Sequence, residues 1–164
     1  MKHEMKGLVL TIGAVVAALT LTYGLGVASA SSSSSRTGTK VAVASSKLGQ
    51  ILVDKRGRTL YLFARDKHGK STCSGLCAGY WPALTTKGKP TAISGARKAL
   101  LGTTRRKDGR LQVTYRGHPL YRFSGDTAAG QTSGEGLTDF GGGWWVVSPA
   151  GQKIVSTANP NPGY

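Results

Sequence analysis

The sequence motifs that mark the common enzyme classes are absent from this 164-residue chain. It has no Gly-x-Ser-x-Gly nucleophile elbow, no His-Glu-x-x-His zinc motif, no phosphate-binding P-loop and no His beside an acid at motif spacing. These absences exclude enzymes that depend on such motifs, so we expect a protein that is not an enzyme. A catalytic site built from scattered residues stays open as an alternative, because site residues converge in space and not always in sequence.

Acidic side chains are also scarce, with 7 Asp and Glu against 22 Lys and Arg. Residues 31–164 alone carry 20 basic against 6 acidic side chains, a net charge of +14. A charge of this sign and size favours attraction to polyanions. Outside a cell these include anionic wall polymers, lipid head groups, acidic polysaccharide and nucleic acid. We expect an anionic wall polymer or a membrane surface as the partner, and no specific nucleic acid.

The N-terminal 30 residues have the pattern of a secretory signal peptide. A short charged stretch precedes an apolar run over residues 8–25, and Val27-Ala28-Ser29-Ala30 places small residues where a signal peptidase reads them. We therefore expect cleavage near Ala30 and an exported protein, secreted or associated with the cell wall. The alternative is an uncleaved membrane anchor, since the run is long enough to span a bilayer.

Composition divides the rest of the chain into four parts. Residues 31–39 are a Ser-rich linker, and residues 157–164 are a Pro- and Asn-containing tail that we expect to be disordered. Between them lie repeat unit 1, residues 40–99, and repeat unit 2, residues 100–156. Short runs of Val, Thr, Tyr and Phe alternate with Gly-containing turns in both units, which is a β pattern.

The two units are related by an offset of sixty residues. Residues 49–66 align on residues 109–126 without a gap, and eight of the eighteen pairs are identical, where chance gives about one. The alignment predicts a mostly β fold: two tandem antiparallel repeats of three to four strands that form one pseudo-symmetric small barrel or sandwich. The predicted strands are 41–45, 50–53, 59–63, 100–105, 111–115, 119–123, 144–147 and 153–155, and a short helix is predicted at 91–99.

Both units contain the phrase Tyr-x-Phe-x-x-Asp. On a strand the Tyr and the Phe share one face, which we expect to pack inward, while residue 122 faces solvent. The Asp stands where the strand ends, where it accepts backbone N–H groups and sets a turn. The alternative is a catalytic pair of carboxylates across the repeat. The structural hypothesis assigns inward packing to Tyr61, Phe63, Tyr121 and Phe123, and it assigns turn-setting to Asp66 and Asp126.

The two cysteines, Cys73 and Cys77, occur in unit 1 alone. Export implies an oxidising compartment, so we expect them to form a disulfide and expect no cofactor. The alternatives are redox-active thiols or a copper site made of both thiolates and His68. A copper site is the less favoured of these hypotheses, because residues 31–164 contain no Met that could add a soft sulfur ligand.

Basic side chains concentrate in turns, where contact residues usually face solvent. The anion-binding candidates are Lys55, Arg56, Arg58, Arg65, Lys67, Lys70, Arg105, Arg106, Lys107 and Arg110.

The repeated phrase, the segment 71–77 that leads to Trp81-Pro82, and the Gly-rich segment 134–148 resemble a family of secreted repeats of unknown function. That family contains predicted lipoproteins with a Tyr-x-(Phe/Trp/Tyr)-x-x-Asp motif. The resemblance spans residues 40–150 and implies export without implying an activity. This chain has no Cys near the expected cleavage site, so we do not expect lipid attachment. Together these features predict an exported, non-enzymatic envelope or extracellular protein that binds anionic components, with a copper-binding or thiol-redox accessory protein as the alternative.

Overall fold

The computed structural model describes residues 38–155. The expected signal peptide, its cleavage near Ala30, the tail at 157–164 and the linker up to residue 37 lie outside these residues. The last linker residue, Thr39, is joined to the domain: its backbone N–H donates to Thr86 Oγ1 (3.0 Å) and its hydroxyl donates to the Thr85 carbonyl (2.8 Å). Within the described part of the chain, no helix is both long and apolar enough to cross a membrane.

Residues 38–155 fold mostly as β structure, as predicted. The strands are β1 (Lys40–Ser46), β2 (Gly49–Asp54), β3 (Tyr61–Phe63), β4 (Thr85–Thr86), β5 (Thr91–Ala92), β6 (Leu101–Arg105), β7 (Leu111–Tyr115), β8 (His118–Pro119), β9 (Thr138–Asp139) and β10 (Gly142–Val146). One α-helix, α1 (Leu76–Tyr80), and one 3-10 turn (Lys98–Leu100) complete the described elements.

The strands form three separate sheets. One has the order β2-β1-β5, the second β3-β10-β9, and the third β4-β7-β6 with β8 also paired to β7. No closed barrel forms among residues 38–155, so the barrel form of the predicted fold is wrong. The expectation of purely antiparallel repeats is also wrong, because β5 runs parallel to β1.

The sequence located the four long hairpin strands to within a residue and missed shorter elements. The predicted helix over residues 91–99 is wrong, since Thr91–Ala92 is a strand and Ser94 and Gly95 have positive φ angles of 46° and 84°. That backbone region interrupts a right-handed helix. The strand predicted at 119–123 shortens to His118–Pro119, and the strand predicted at 153–155 is reduced to a single bridge.

Each unit begins with two hairpins, and their turn lengths are exchanged between the units. In unit 1 the first turn has two residues (47–48) and the second has three (55–57). In unit 2 the first has three (107–109) and the second has two (116–117). Arg116 and Gly117 both have positive φ (50° and 81°), which is the backbone of a type I′ turn. The lengths compensate, so the sequence alignment shows no gap.

This exchange shifts the strand between the two turns by one residue. A one-residue shift turns side chains to the opposite face of a strand. Val53 and Val113, identical in the gapless alignment, therefore belong to different core clusters. The structural counterpart of Val113 is Leu52: Leu52 donates its N–H to the Val147 carbonyl (2.8 Å), as Val113 does to the Leu84 carbonyl (2.8 Å). The gapless alignment is wrong over this strand.

The units are interlocked through their aromatic segments. Strand β3 of unit 1 pairs with β10 of unit 2, and Ala83 of unit 1 pairs with Tyr121 of unit 2. At the centre of this contact, the backbone N–H of each of Tyr61 and Tyr121 donates to the carbonyl of the other, at 2.9 Å in both cases. Trp81 and Trp144 stack beside this pair, with ring centroids 3.9 Å apart and planes 3° from parallel. Neither unit therefore has a core of its own.

Two leucines of unit 1 provide a test of this packing. Leu84 is 2% exposed and bridges β7 and Leu120, whereas Leu76 in α1 is 80% exposed. We expect Leu84→Ala to lower the free energy of unfolding by about 2–5 kcal/mol, because it removes buried methyl groups and leaves a cavity. Leu76→Ala should change it by less than about 0.5 kcal/mol. Urea denaturation of the oxidised protein measures both values, and equal costs would contradict the described core.

Candidate functional site

The repeated Tyr-x-Phe-x-x-Asp phrase forms a reciprocal pair of hydrogen bonds between the units. The Tyr61 hydroxyl donates to Asp126 Oδ2 (2.5 Å), and the Tyr121 hydroxyl donates to Asp66 Oδ2 (2.6 Å). Both tyrosines have no solvent exposure, and Asp126 is 5% exposed. Each unit thus supplies the phenol for the carboxylate of the other.

The second oxygen of each carboxylate closes its own loop. Asp66 Oδ1 accepts the Thr72 backbone N–H (2.8 Å) and hydroxyl (2.8 Å), and Asp126 Oδ1 accepts the Ser133 N–H (2.9 Å). These contacts close the loops at residues 66–72 and 126–133. Together with the phenol hydrogen bonds, they occupy both oxygens of each carboxylate.

Burial shapes the ionisation of this cluster. It raises the pKa of both phenols, and the neighbouring carboxylates, Asp126 beside Tyr61 and Asp66 beside Tyr121, raise them further. Burial also raises the pKa of Asp66, against the opposing effect of the Tyr121 hydrogen bond. The phenols therefore keep their protons and act as fixed donors.

Cys73 and Cys77 form the predicted disulfide. Both are buried at the start of the segment that leads through α1 to Trp81. Their sulfurs are bonded to each other, and His68 lies exposed on the preceding loop. Among residues 38–155 no group of three or more His, Cys, Asp or Glu side chains is placed to hold a metal ion.

The disulfide loop is tied to unit 2 by Arg106. Its Nη1 donates to Ser71 Oγ (2.6 Å) and to Gln112 Oε1 (2.7 Å), and its Nη2 donates to the Cys73 carbonyl (2.7 Å). Arg106 is only 7% exposed. The structure therefore places this anion-binding candidate in an internal position, where it supports the loop and does not face solvent with the other candidates.

The remaining basic candidates lie in three separate places. Arg65 donates to the Phe140 carbonyl (2.9 Å), and Lys67 and Lys70 are exposed on the Asp66 loop. Arg105, Lys107 and Arg110 are exposed at the β6–β7 turn, where Arg110 pairs with Asp108 (2.7 Å). Lys55, Arg56 and Arg58 come together in one cleft, and Arg106, Lys107 and Arg110 line a smaller cavity of about 240 Å³ beside Asp108.

We call this the basic cleft, an open cavity of about 500 Å³ at one end of the β1–β2 hairpin. Two further basic residues, Lys40 and Arg122, join the three candidates in its lining, and Asp54 supplies a single carboxylate. The other lining residues are Gly38, Thr39, Leu84 and Thr85. The cleft thus gathers five basic side chains around one acid.

Asp54 organises the floor of the basic cleft. Its Oδ1 accepts the backbone N–H groups of Arg56 (2.8 Å) and Arg58 (3.1 Å), which fixes the three-residue turn. Its Oδ2 accepts both Nε (3.1 Å) and Nη2 (2.8 Å) of Arg58. Asp54 itself is 5% exposed. One guanidinium is therefore held in a fixed orientation at the cleft.

Arg122 differs from the other four cations of the cleft in having a buried donor without an acceptor. Its Nε lies 3.8 Å from Asp54 Oδ2, is buried, and has no hydrogen-bond partner among the described residues. Burial lowers the pKa of this guanidinium, and the charge of Arg58 lowers it further. Residue 122 was expected to face solvent, but the Arg122 side chain is only 25% exposed.

Sequence reasoning missed Lys40, Asp54 and Arg122 as members of this cleft. The signal for Arg122 was present: an arginine stands where unit 1 has Leu62, which is buried. Lys40 and Asp54 had no local signal, because only the pairing of β1 with β2 brings the two ends of the hairpin together.

Comparison with known proteins also finds two repeats in the chain. The sequence model of a family described as a secreted repeat of unknown function matches twice, at residues 42–85 and 102–148. The chain belongs to this family. Its members are described as secreted, which supports an extracellular location for this chain. No curated protein and no solved structure matches the chain. Both matches to the secreted-repeat family end in the aromatic segments that interlock the two units.

The raised pKa of Tyr61 predicts that the free energy of unfolding falls at alkaline pH. Because the pKa of Tyr61 is raised in the folded protein, the folded chain keeps this proton at a pH where the unfolded chain, with a pKa of about 10, loses it. Its stabilising contribution is thus full below about pH 10 and declines as the pH rises further. Tyr61→Phe should remove this part of the decline in the free energy of unfolding.

At neutral pH the same variant should be less stable by about 1.5–3 kcal/mol, because the Asp126 carboxylate loses a buried donor. Tyr80→Phe is the control, since Tyr80 is 58% exposed. Urea denaturation over the alkaline range measures both effects. Equal pH profiles for the two variants would refute the assignment.

The disulfide should be stabilising without being essential. Closing so short a loop contributes about 2 kcal/mol, and in unit 2 Gly134 follows Ser133 where Cys73 follows Thr72 in unit 1. We expect the variant with both Cys73→Ser and Cys77→Ser to fold with a free energy of unfolding lower by that amount. Thiol titration of the native protein should detect free thiols only after reduction. Loss of the fold in the double variant would contradict this expectation.

Proposed function

We propose that this protein is an exported, non-enzymatic binding module that engages an anionic polymer of the cell envelope without a cofactor. The secreted-repeat family supports the location, and the net charge of +14 over residues 31–164 supports the sign of the partner. Charged groups spread over a surface attract polyanions in a way that depends on salt.

The basic cleft is the observation that carries this proposal. Five of its lining side chains are basic and one is acidic, and the acid is already bound to Arg58. Such a concentration of one charge is costly in the isolated protein, because like charges repel. Binding of an anionic partner would offset this cost.

The fold supports a rigid module. The reciprocal phenol–carboxylate bonds and the exchange between Tyr61 and Tyr121 are compatible with a small sandwich-like domain built around an approximate twofold axis. In that interpretation the shared centre of the domain is structural, and the exposed basic turns at its periphery contact the partner.

Retention on immobilised anionic wall polymer tests the proposal. We expect the protein to bind at low ionic strength and to elute before about 1 M salt, where the Debye length is about 3 Å. A neutral polysaccharide of the same chain length is the control matrix and should not retain it. Retention that is unchanged between low and high salt, or equal on both matrices, would refute a polyanion-binding function.

A further inference from the structure

We infer that the basic cleft is a discrete binding site for a phosphate group, read by the guanidinium groups of Arg58 and Arg122. This inference rests on the proposed function and narrows it from general polyanion attraction to one site and one ligand chemistry. The alternative within the proposed function is attraction spread over every basic turn.

The first argument is the state of Arg122. Its buried Nε–H lacks an acceptor among the described residues, and Asp54 Oδ2 at 3.8 Å is beyond hydrogen-bond distance. A buried donor without an acceptor is destabilising. Because Arg122 lines the basic cleft, an anion in the cleft could supply the missing acceptor.

The second argument is that the fold does not require an arginine here. Leu62 occupies the corresponding place in unit 1, one residue after the paired Tyr61, as Arg122 follows the paired Tyr121. Leu62 is 5% exposed, so an apolar side chain suits this position. A half-buried cation at a place that accepts leucine indicates a role other than packing.

A second cleft contains Leu62 and His118, which correspond in the repeat to Arg122 and Arg58 of the basic cleft. It has a volume of about 350 Å³ and is lined in part by Leu62, His118 and Trp145. His118 stands where unit 1 has Arg58, and burial lowers the pKa of this imidazole, as does the charge of Arg116. The guanidinium pair of the basic cleft is therefore specific to one side of the domain.

Charge and geometry favour phosphate over carboxylate. Five cations against one carboxylate leave the cleft strongly positive, and a phosphate offers more oxygen acceptors than a carboxylate. Asp54 holds the Arg58 guanidinium in place through two hydrogen bonds, so little side-chain freedom is lost on binding. A volume of about 500 Å³ also leaves room for the group that carries the phosphate.

Nuclear magnetic resonance titration of the purified protein with inorganic phosphate tests the site. We expect the Arg122 Nε–H signal and the backbone amides of residues 54–58 to shift together and to saturate. Acetate at equal ionic strength should produce less than a third of these shifts. Phosphate-induced shifts centred on the turn at residues 107–109, or equal effects of acetate, would overturn the assignment.

Three variants measure the contribution of the cleft. Arg122→Leu introduces the residue that unit 1 carries, Lys55→Gln removes an exposed cation from the cleft, and Lys47→Gln is the matched control. Lys47 lies at the other end of β2, about 20 Å along the strand at about 3.3 Å per residue. We expect the phosphate dissociation constant to rise at least about tenfold in Arg122→Leu and about threefold in Lys55→Gln. Lys47→Gln should stay within about twofold. If Arg122→Leu fails to fold, Lys55→Gln decides, and values within twofold of wild type for the cleft variants that fold would overturn the proposal.

The source of the phosphate is tested with a poly(glycerol phosphate) chain and with phosphatidylglycerol vesicles. We expect the chain to bind in the cleft, with the same loss in Arg122→Leu, and the vesicles to be affected equally by Arg122→Leu and Lys47→Gln. Vesicle binding that depends on Arg122 while the chain does not bind would overturn the polymer as the source.

Different results would contradict the polymer-binding function and the phosphate site. Salt-sensitive polymer retention that is equal in Arg122→Leu and Lys47→Gln overturns the phosphate site and leaves the binding function intact. Saturable phosphate binding at Arg122 without polymer retention overturns the function and leaves the site.

Discussion

The exchange of phenol and carboxylate between the two halves is the interaction on which the rest of the structure depends. Tyr61 reaches Asp126 and Tyr121 reaches Asp66, so the strand of one unit is fixed by the loop of the other. The backbone bridge between the two tyrosines lies at this point, and the stacked Trp81 and Trp144 cover it. In a domain this small, buried charge-assisted hydrogen bonds give directional order that packing alone does not provide.

Around this shared centre the two halves have diverged. Unit 1 carries the disulfide loop and the turn in which Asp54 orients Arg58. Unit 2 contributes Arg122 to the basic cleft and Arg106 to the support of the disulfide loop. Each distinctive feature thus takes residues from both halves, which explains why neither half is sufficient for the candidate site.

Much of the fold was predictable from the sequence, because alternation and turn residues are local signals. The hairpin strands were predicted for that reason, and the disulfide was predicted because export implies an oxidising compartment. The helix at 91–99 was wrong because positive φ at Ser94 is not visible in composition, and the register of β7 was missed because two turn lengths compensate. Half of the charged residues of the candidate site escaped prediction, since Lys40, Asp54 and Arg122 meet only through long-range strand pairing. The turn residues Lys55, Arg56 and Arg58 were found, but their separation from the other basic turns required the structure.

The reciprocal bonds have a consequence for how such a domain can be assembled. A polypeptide that contained a single unit would present an unmatched tyrosine and an unmatched aspartate, each complementary to the other. It could satisfy both only by associating with an identical chain, with the same two bonds formed between subunits. The covalent link between the units here replaces that association, so the centre forms at a stability independent of protein concentration. It also frees each half to change its surface without changing the other, which a symmetric homodimer could not do.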